Sequence, residues 1–456
     1  QRELFKGLAI DRLQPEPWET YPVLRLDLSG KAYTDKDSLT SLLDMQLQGW
    51  ELKYGIKDTR KTVDERFTVL LHRITELTGK KVVILIDEYD SPLSETIGNK
   101  ELQESYREQL HGFYSVLKRE ERNIHFCMLT GVTKFGKVSV FSGLNNLNDI
   151  TFDNQYAGIC GITEKELRTY FTSGIERLAE AENCSTEEAF NQLKFYYDGY
   201  HFTKSLLDIY NPFSVLKALD RCEIEDYWCS TGMPTLLSKS LCDIDFNIEE
   251  LKEIGVTQSM LGDVSVYKTD PIPLFYQTGY LTIKDYDQEA KIYTLRYPNR
   301  EVERGILNNI LRLYIPSMTT TEGSIVLMRR DLCNGKPEQF VSRLKAYLAG
   351  IPSKLRTHVS QYENYYHTIF YCIMSLIGLD VNVEYNTSSG FIDVVIETKD
   401  YIYIIELKVN GSAAVAMRQI EKKRYAAPFA MDPRKLFKVA LGFSKKTASI
   451  TSSIIS

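Results

Sequence analysis

At 456 residues the chain exceeds one ordinary core, and roughly two to four domains are expected of it. With 43% apolar and 25% charged residues it is neither disordered nor fibrous, and no apolar run approaches the roughly 18 residues of a membrane span. A net charge of −6 excludes a uniformly basic nucleic-acid coat.

In chain order, Tyr21 to Leu28 reads as a strand, Asp64 to Thr78 as an amphipathic helix stopped by Gly79, and Lys81 to Asp87 as a buried strand. Glu101 to Arg119 follows as a helix and His125 to Thr130 as a strand. Continuous apolar strands alternating with helices predict a parallel sheet covered on both faces, an α/β domain over 1–161. Residues 162–300 read mostly as helix. Thr163 and Glu166 have capping-box spacing, and a candidate hairpin at Gly279 to Ile283 and Ile292 to Leu295 suggests a winged-helix-like middle. Tyr227, Trp228 and Met233 read as core packing. Residues 301–456 are read as helical to about Leu379, then β-rich, then helical, with a compact core over 360–446. The eight cysteines (Cys127, Cys160, Cys184, Cys222, Cys229, Cys242, Cys333, Cys372) form no CxxC pair. That spacing predicts buried, reduced thiols in a cytoplasmic protein rather than a zinc site.

The densest chemistry lies near the C-terminus. Phe391 to Glu397 and Tyr401 to Val409 are β-rich runs around Lys399-Asp400. If those two residues form the loop of a hairpin, Asp393 lies opposite Glu406, with Cβ atoms about 5 Å apart. Lys408, two positions on, shares the face of Glu406. Paired carboxylates repel unless a cation neutralises them, and oxygen ligands of this kind suit magnesium or manganese. From Lys399 to Lys446 eleven basic residues face four acids, a surplus fit for phosphates.

This pattern resembles the PD-(D/E)XK nuclease superfamily, with Ile392-Asp393 as its first acid and Glu406-Leu407-Lys408 as its Glu-x-Lys. The resemblance implies that Asp393 and Glu406 hold the metal and Lys408 assists the nucleophile. It further implies an upstream helical acid, here Glu363, in a helix with Ile369, Phe370, Ile373 and Ile377 as buried stripe. Downstream, Gln419 to Tyr425 resembles the Gln…Tyr helix of the RecB-like branch. The tip at Asn386 to Gly390 is expected to face DNA.

The N-terminal half has its own constellation. Val82 to Asp87 followed by Glu88 has the Walker B form, in which Asp87 holds the water shell of a magnesium ion and Glu88 polarises the attacking water. Asp87 to Leu93, Thr130 to Phe135, Phe141 to Asp149, Gly199-Tyr200-His201-Phe202 and Asn211 to Ser214 together resemble a bacterial AAA-ATPase-like family that ends in a PD-(D/E)XK domain. The resemblance implies a P-loop-NTPase-like sheet, with Thr130 at the sensor position. Gly131 to Val138 only mimics a P-loop: Val138 lacks the required hydroxyl, and the segment follows the Walker B strand. The P-loop is therefore expected upstream of Gln1, ATP is expected as ligand of the longer protein, and this chain is expected not to hydrolyse it.

The reading that follows is a nucleotide-regulated, Mg²⁺- or Mn²⁺-dependent nuclease acting on nucleic acid, DNA first, with no membrane partner. The rival is a switch module whose nuclease fold grips nucleic acid or protein without cutting.

Overall fold

The computed structural model describes residues 2–14, 18–57, 62–134, 140–141, 144–229, 251–262, 271–314, 321–349, 365–387, 390–444 and 449–456. The chain divides into two compact units. The first comprises 1–150 and 257–278, the second 151–256 and 279–456.

In the first unit β1 (Val23–Asp27), β2 (Val82–Asp87) and β3 (Ile124–Leu129) form a parallel sheet in the order β1-β2-β3. The intervening helices are α1 (Asp37–Lys53), α2 (Val63–Thr78) and α3 (Lys100–Arg119). Gly79 ends α2 at φ 66°, a left-handed position that costs glycine little. Asn99 opens α3 by accepting the Leu102 N–H at 3.2 Å. Leu24 and Leu26 of β1 and Ile84 and Ile86 of β2 point into one core with Leu43, Phe67, Leu70, Leu110 and Phe113 from the helices.

The expectation of a sheet covered on both faces is corrected here. Strand β1 alternates exposed and buried residues, and its outer positions Val23 and Arg25 are exposed, as is Phe126 of β3. The alternation in Val23-Leu24-Arg25-Leu26-Asp27, apolar inward and mixed outward, is the pattern of a sheet with one buried face.

The second unit begins with α4 (Glu164–Tyr170), α5 (Thr172–Ala181), α6 (Thr186–Tyr197) and α7 (Pro212–Arg221). The predicted capping box is present: Thr163 caps α4 and Glu166 reaches back to the Thr163 N–H at 2.9 Å. Strands β4 (Ile162–Thr163) and β5 (Ile209–Tyr210) pair across this bundle. The predicted hairpin is β7 (Thr282–Asp287) with β8 (Ile292–Arg296), joined by β6 (Ile254–Thr257) in the order β6-β8-β7. Tyr227 is buried and Trp228 packs on Tyr280 at 5.0 Å, whereas Met233 lies outside the described residues.

Helices α8 (Arg300–Tyr314), α9 (Thr321–Cys333), α10 (Pro337–Ala349) and α11 (Tyr365–Ile377) lead into the last sheet. Ile369, Ile373 and Ile377 of α11 are fully buried, and Phe370 is half-buried. The sheet contains β9 (Asp380–Thr387), β10 (Gly390–Glu397), β11 (Tyr401–Val409), β12 (Lys435–Ser444) and β13 (Ser449–Ile455), in the order β13-β12-β11-β10-β9. All neighbours are antiparallel except β11 and β12, which are parallel and joined through α12 (Ala413–Lys422). The expected helical close is thus corrected: after α12 the chain returns as two strands, the first with five consecutive buried residues from Val439 to Phe443. Ala413, Ala416 and Ile420 of α12 cover one face of the sheet at Val395, Ile402, Ile404 and Ala440. On the other side Tyr403 donates to the Leu332 carbonyl at 2.6 Å.

The thiols form no disulfide among the described residues, but their expected burial holds only in part. Cys229 and Cys372 are buried, Cys160 and Cys333 are exposed, and Cys242 lies outside the described residues.

Candidate active site

The β10–β11 turn is built by Thr398. Its N–H donates to the Tyr401 carbonyl at 2.8 Å, and its hydroxyl accepts the N–H groups of Asp400 and Tyr401. Lys399 and Asp400 are therefore the two loop residues, and the ladder runs Glu397↔Ile402, Ile396↔Tyr403, Val395↔Ile404, Val394↔Ile405. One further step brings Asp393 to Glu406. There the carboxylate takes over a ladder position: Asp393 Oδ2 accepts the Leu407 N–H at 2.7 Å.

Glu406 has no exposed surface. Lys408 Nζ donates to its Oε1 at 2.8 Å, while Oε2 is buried without a hydrogen-bond partner in the described structure. Burial pushes the Glu406 carboxyl above its ordinary range and Asp393 adds to the rise, against the stabilising Lys408 ammonium. Asp393, Glu406 and Lys408 are thus brought together at one end of the hairpin.

Gln419 reaches the same end indirectly. Its Nε2 donates to the Tyr425 hydroxyl at 3.2 Å, and that hydroxyl donates to the Phe391 carbonyl at 2.6 Å, two residues before Asp393. Tyr425 is 2% exposed, so α12 is pinned to β10 through a buried link. Glu363 and the tip at 388–389 lie outside the described residues.

One acid was passed over in the sequence. The β9–β10 register is constant from Gly390↔Thr387 to Glu397↔Asp380, which sets Glu384 across from Asp393. The alternation Val381-Asn382-Val383-Glu384 carried the signal.

Part of the basic surplus is spent internally. Arg434 pairs with Asp432 and Glu397, and Lys438 with Glu421. Arg418, Lys422, Lys423 and Arg424 on and after α12 remain exposed.

In the first unit, the C-terminal ends of the parallel strands gather acids. Thr130 donates its hydroxyl to Asp87 Oδ1 at 2.6 Å, and Arg25 reaches Asp87 Oδ2 at 3.4 Å. Glu88 follows at φ 53°, a left-handed conformation uncommon outside glycine. Burial and then the charges of Asp90, Asp87 and Asp27 push its carboxyl upward. Asp87, Glu88 and Thr130 are thus gathered.

Asp90 is 1% exposed and ties this turn to the segment after β3, accepting the Val132 N–H at 3.1 Å and the Thr133 N–H at 2.6 Å. Gly131 passes so close that a Cβ there would stand 2.2 Å from Asp90 Oδ1 and 2.7 Å from the Tyr89 ring. That approach explains the glycine without any phosphate; residues 135–139 lie outside the described structure.

Among the described residues no group of three or more His, Cys, Asp or Glu side chains is set to hold a metal. The donors at the hairpin are two carboxylates, one with an orphaned buried oxygen. Such a set fits magnesium or manganese, which are commonly held by one or two carboxylates, the remaining positions taken by waters and substrate phosphates. It does not fit zinc, whose sites are mostly nitrogen and sulfur.

Residues 1–141 match the family of predicted AAA-ATPases, and residues 361–453 match the PD-(D/E)XK nuclease superfamily. A protein of Azotobacter chroococcum mcd 1, called an uncharacterized protein in vnfD 5′region, is 31% identical over 461 residues, covering 99% of this chain and 86% of that one. No helix of the described residues is long and apolar enough to cross a membrane.

Proposed function

For a chain that belongs to the AAA-ATPase-like family and carries a PD-(D/E)XK nuclease superfamily domain, we propose a metal-dependent nuclease whose cutting is regulated by nucleotide at its ATPase-like half. The observation that carries this reading is the meeting of Asp393 and buried Glu406 beside Lys408. The two carboxylates would hold Mg²⁺ or Mn²⁺, which supplies positive charge to the scissile phosphate and acidity to a water. Lys408 orients the attacking water and offsets charge on the phosphate, while Gln419 and Tyr425 hold α12 and the start of β10 in register. Glu363 and Glu384 are further acids for the site. The exposed cations of α12 receive the backbone of the nucleic acid, DNA first. At the other half, Asp87 and Glu88 would serve the magnesium and the water of an ATP held by a P-loop, and Thr130 would position Asp87.

The test is cleavage of a DNA substrate by the purified chain with Mn²⁺ or Mg²⁺. Asp393→Ala and Lys408→Ala are expected to abolish it. If Asp393→Ala cuts as well as the parent, the assignment is wrong.

A second reading, a binding module that does not cut, is favoured by the Lys408–Glu406 bond, which neutralises Glu406 without metal. It predicts salt-sensitive DNA retention with no response of the melting temperature to Mn²⁺.

A further inference from the structure

In the first unit Asp27, Asp87, Glu88 and Asp90 gather at the C-terminal ends of the strands. At the N-terminal ends of β2 and β3 lies an open groove of about 860 Å³ lined by Lys81, Lys118, Arg119, Arg122, Glu121 and Ile124. Its four cations are exposed and come from three elements: the start of β2, the last turn of α3, and the turn before β3.

Several acids stand near this groove, and Glu19 accepts the Tyr21 hydroxyl at 2.6 Å. Glu120 is buried and engaged by His72 Nε2 at 2.9 Å and by Asn123 at 2.7 Å. Asp64 meets Arg119 at 3.7 Å, and among the described residues Glu121 is the acid on the groove wall. Strands of five and six residues separate the two ends by roughly 17–20 Å, about two Debye lengths at physiological salt. Beside the groove Lys80 lies over the Tyr21 ring at 5.5 Å, and Tyr21 stacks on His125 at 4.1 Å.

We infer that this groove binds the phosphate backbone of a nucleic-acid strand, as a holding site separate from the Asp393–Glu406 centre. The choice of nucleic acid over other polyanions rests on the nuclease reading of the second unit. The groove itself rests only on the converging cations. A strand laid along it meets Lys81 and Arg122 from the sheet side and Lys118 and Arg119 from the helix end.

The experiment is fluorescence anisotropy of a labelled single-stranded oligonucleotide with the full chain in EDTA, from low to moderate salt. Lys81→Glu with Arg122→Glu is expected to weaken binding at least tenfold and to reduce the log–log salt slope by about 1.4, two phosphate contacts on a single strand. Lys165→Glu with Arg177→Glu, an equal charge change on exposed residues of the second unit, is expected to leave affinity within about twofold. Lys81→Gln with Arg122→Gln serves if the reversed pair does not fold, with at least a threefold loss expected. Parent-like affinity in the groove variants, equal weakening by the control pair, or competition by poly-glutamate as effective as by DNA would each overturn the inference. A chain that binds through the groove but never cuts in Mn²⁺ sinks the nuclease reading and leaves the groove standing. A chain that cuts, and whose groove variants bind like the parent, does the reverse.

Discussion

Lys408 donates to one oxygen of Glu406 at 2.8 Å, and the other oxygen of that carboxylate is buried with no partner among the described residues. Half of a buried ion pair is therefore satisfied, an arrangement that costs stability until a cation completes it. Glu406→Gln removes the buried charge and is expected to melt in EDTA within about 1 kcal/mol of the parent, or above it. The same variant should lose the Mn²⁺-induced rise in melting temperature that the parent shows. Lys408→Met leaves Glu406 uncompensated. It is expected to cost about 1–3 kcal/mol, less than a fully enclosed pair because the lysine is 28% exposed. Thermal melts of the three proteins with and without Mn²⁺ decide the matter; an unchanged Mn²⁺ response in Glu406→Gln refutes it.

Tyr425 joins helix and strand through one hydroxyl, which accepts from Gln419 and donates to the Phe391 carbonyl. Tyr425→Phe should lose about 1 kcal/mol of stability, since the Phe391 carbonyl loses its donor. It should also slow cleavage more than it weakens DNA binding, because what it loosens is the position of Asp393. Parent-like turnover would show that α12 holds its place without this link.

The hairpin register was legible because a two-residue turn leaves no freedom: once Lys399 and Asp400 are the loop, Asp393 must approach Glu406. Strands β1 to β3 and helices α2 and α3 were legible from apolar runs and the stop at Gly79, whereas α1 (Asp37–Lys53) was not read. Three further things were not legible. Lys435 to Ser444 is a short apolar run, which periodicity alone does not separate from a helix. The pairing of Asp87 with both Thr130 and Arg25 joins residues about 40 and 60 positions apart in sequence, set only by strand order. The exposed outer positions of β1 were missed because β2 reads as continuous apolar sequence, although β1 alternates.

Two buried carboxylates of the second unit give its stability a pH dependence. Burial, with smaller additions from neighbouring acids, pushes Glu301 up to about 7 and Asp198 up to about 6. Glu301 accepts the Ser214 hydroxyl at 2.7 Å and the Trp228 N–H at 2.6 Å, and Asp198 is buried with Lys194 Nζ at 3.9 Å. Each folded-state value lies above the unfolded one, so the folded unit holds more protons. The stabilisation is complete below about pH 4 and is lost as pH rises through 6 and 7. The loss from pH 5 to 8 is on the order of 2–3 kcal/mol for Glu301 and 1–2 kcal/mol for Asp198. Denaturant unfolding at several pH values should show it, and Glu301→Gln should flatten the profile. A slope unchanged in that variant would mean that other groups set it.

Gly131 tests whether the loop after β3 is fixed by contact with the Walker B turn. A methyl at this position would overlap Asp90 Oδ1 and the Tyr89 ring, and neither can retreat easily. Asp90 is held by Val132, Thr133 and Ser94, and the Tyr89 hydroxyl donates to the Thr133 carbonyl at 3.0 Å. Gly131→Ala should therefore cost about 1–3 kcal/mol, as overpacking of a fixed site does, and the loss should be local to the first unit. Hydrogen exchange with peptide resolution separates the possibilities: β2 and β3 should lose protection while β10 and β11 keep theirs. Thr130→Val, which removes the hydroxyl from Asp87 but adds no overlap, should leave protection in β3 nearly unchanged. If Gly131→Ala exchanges like the parent, the turn yields to a methyl, and the glycine is not required by this contact.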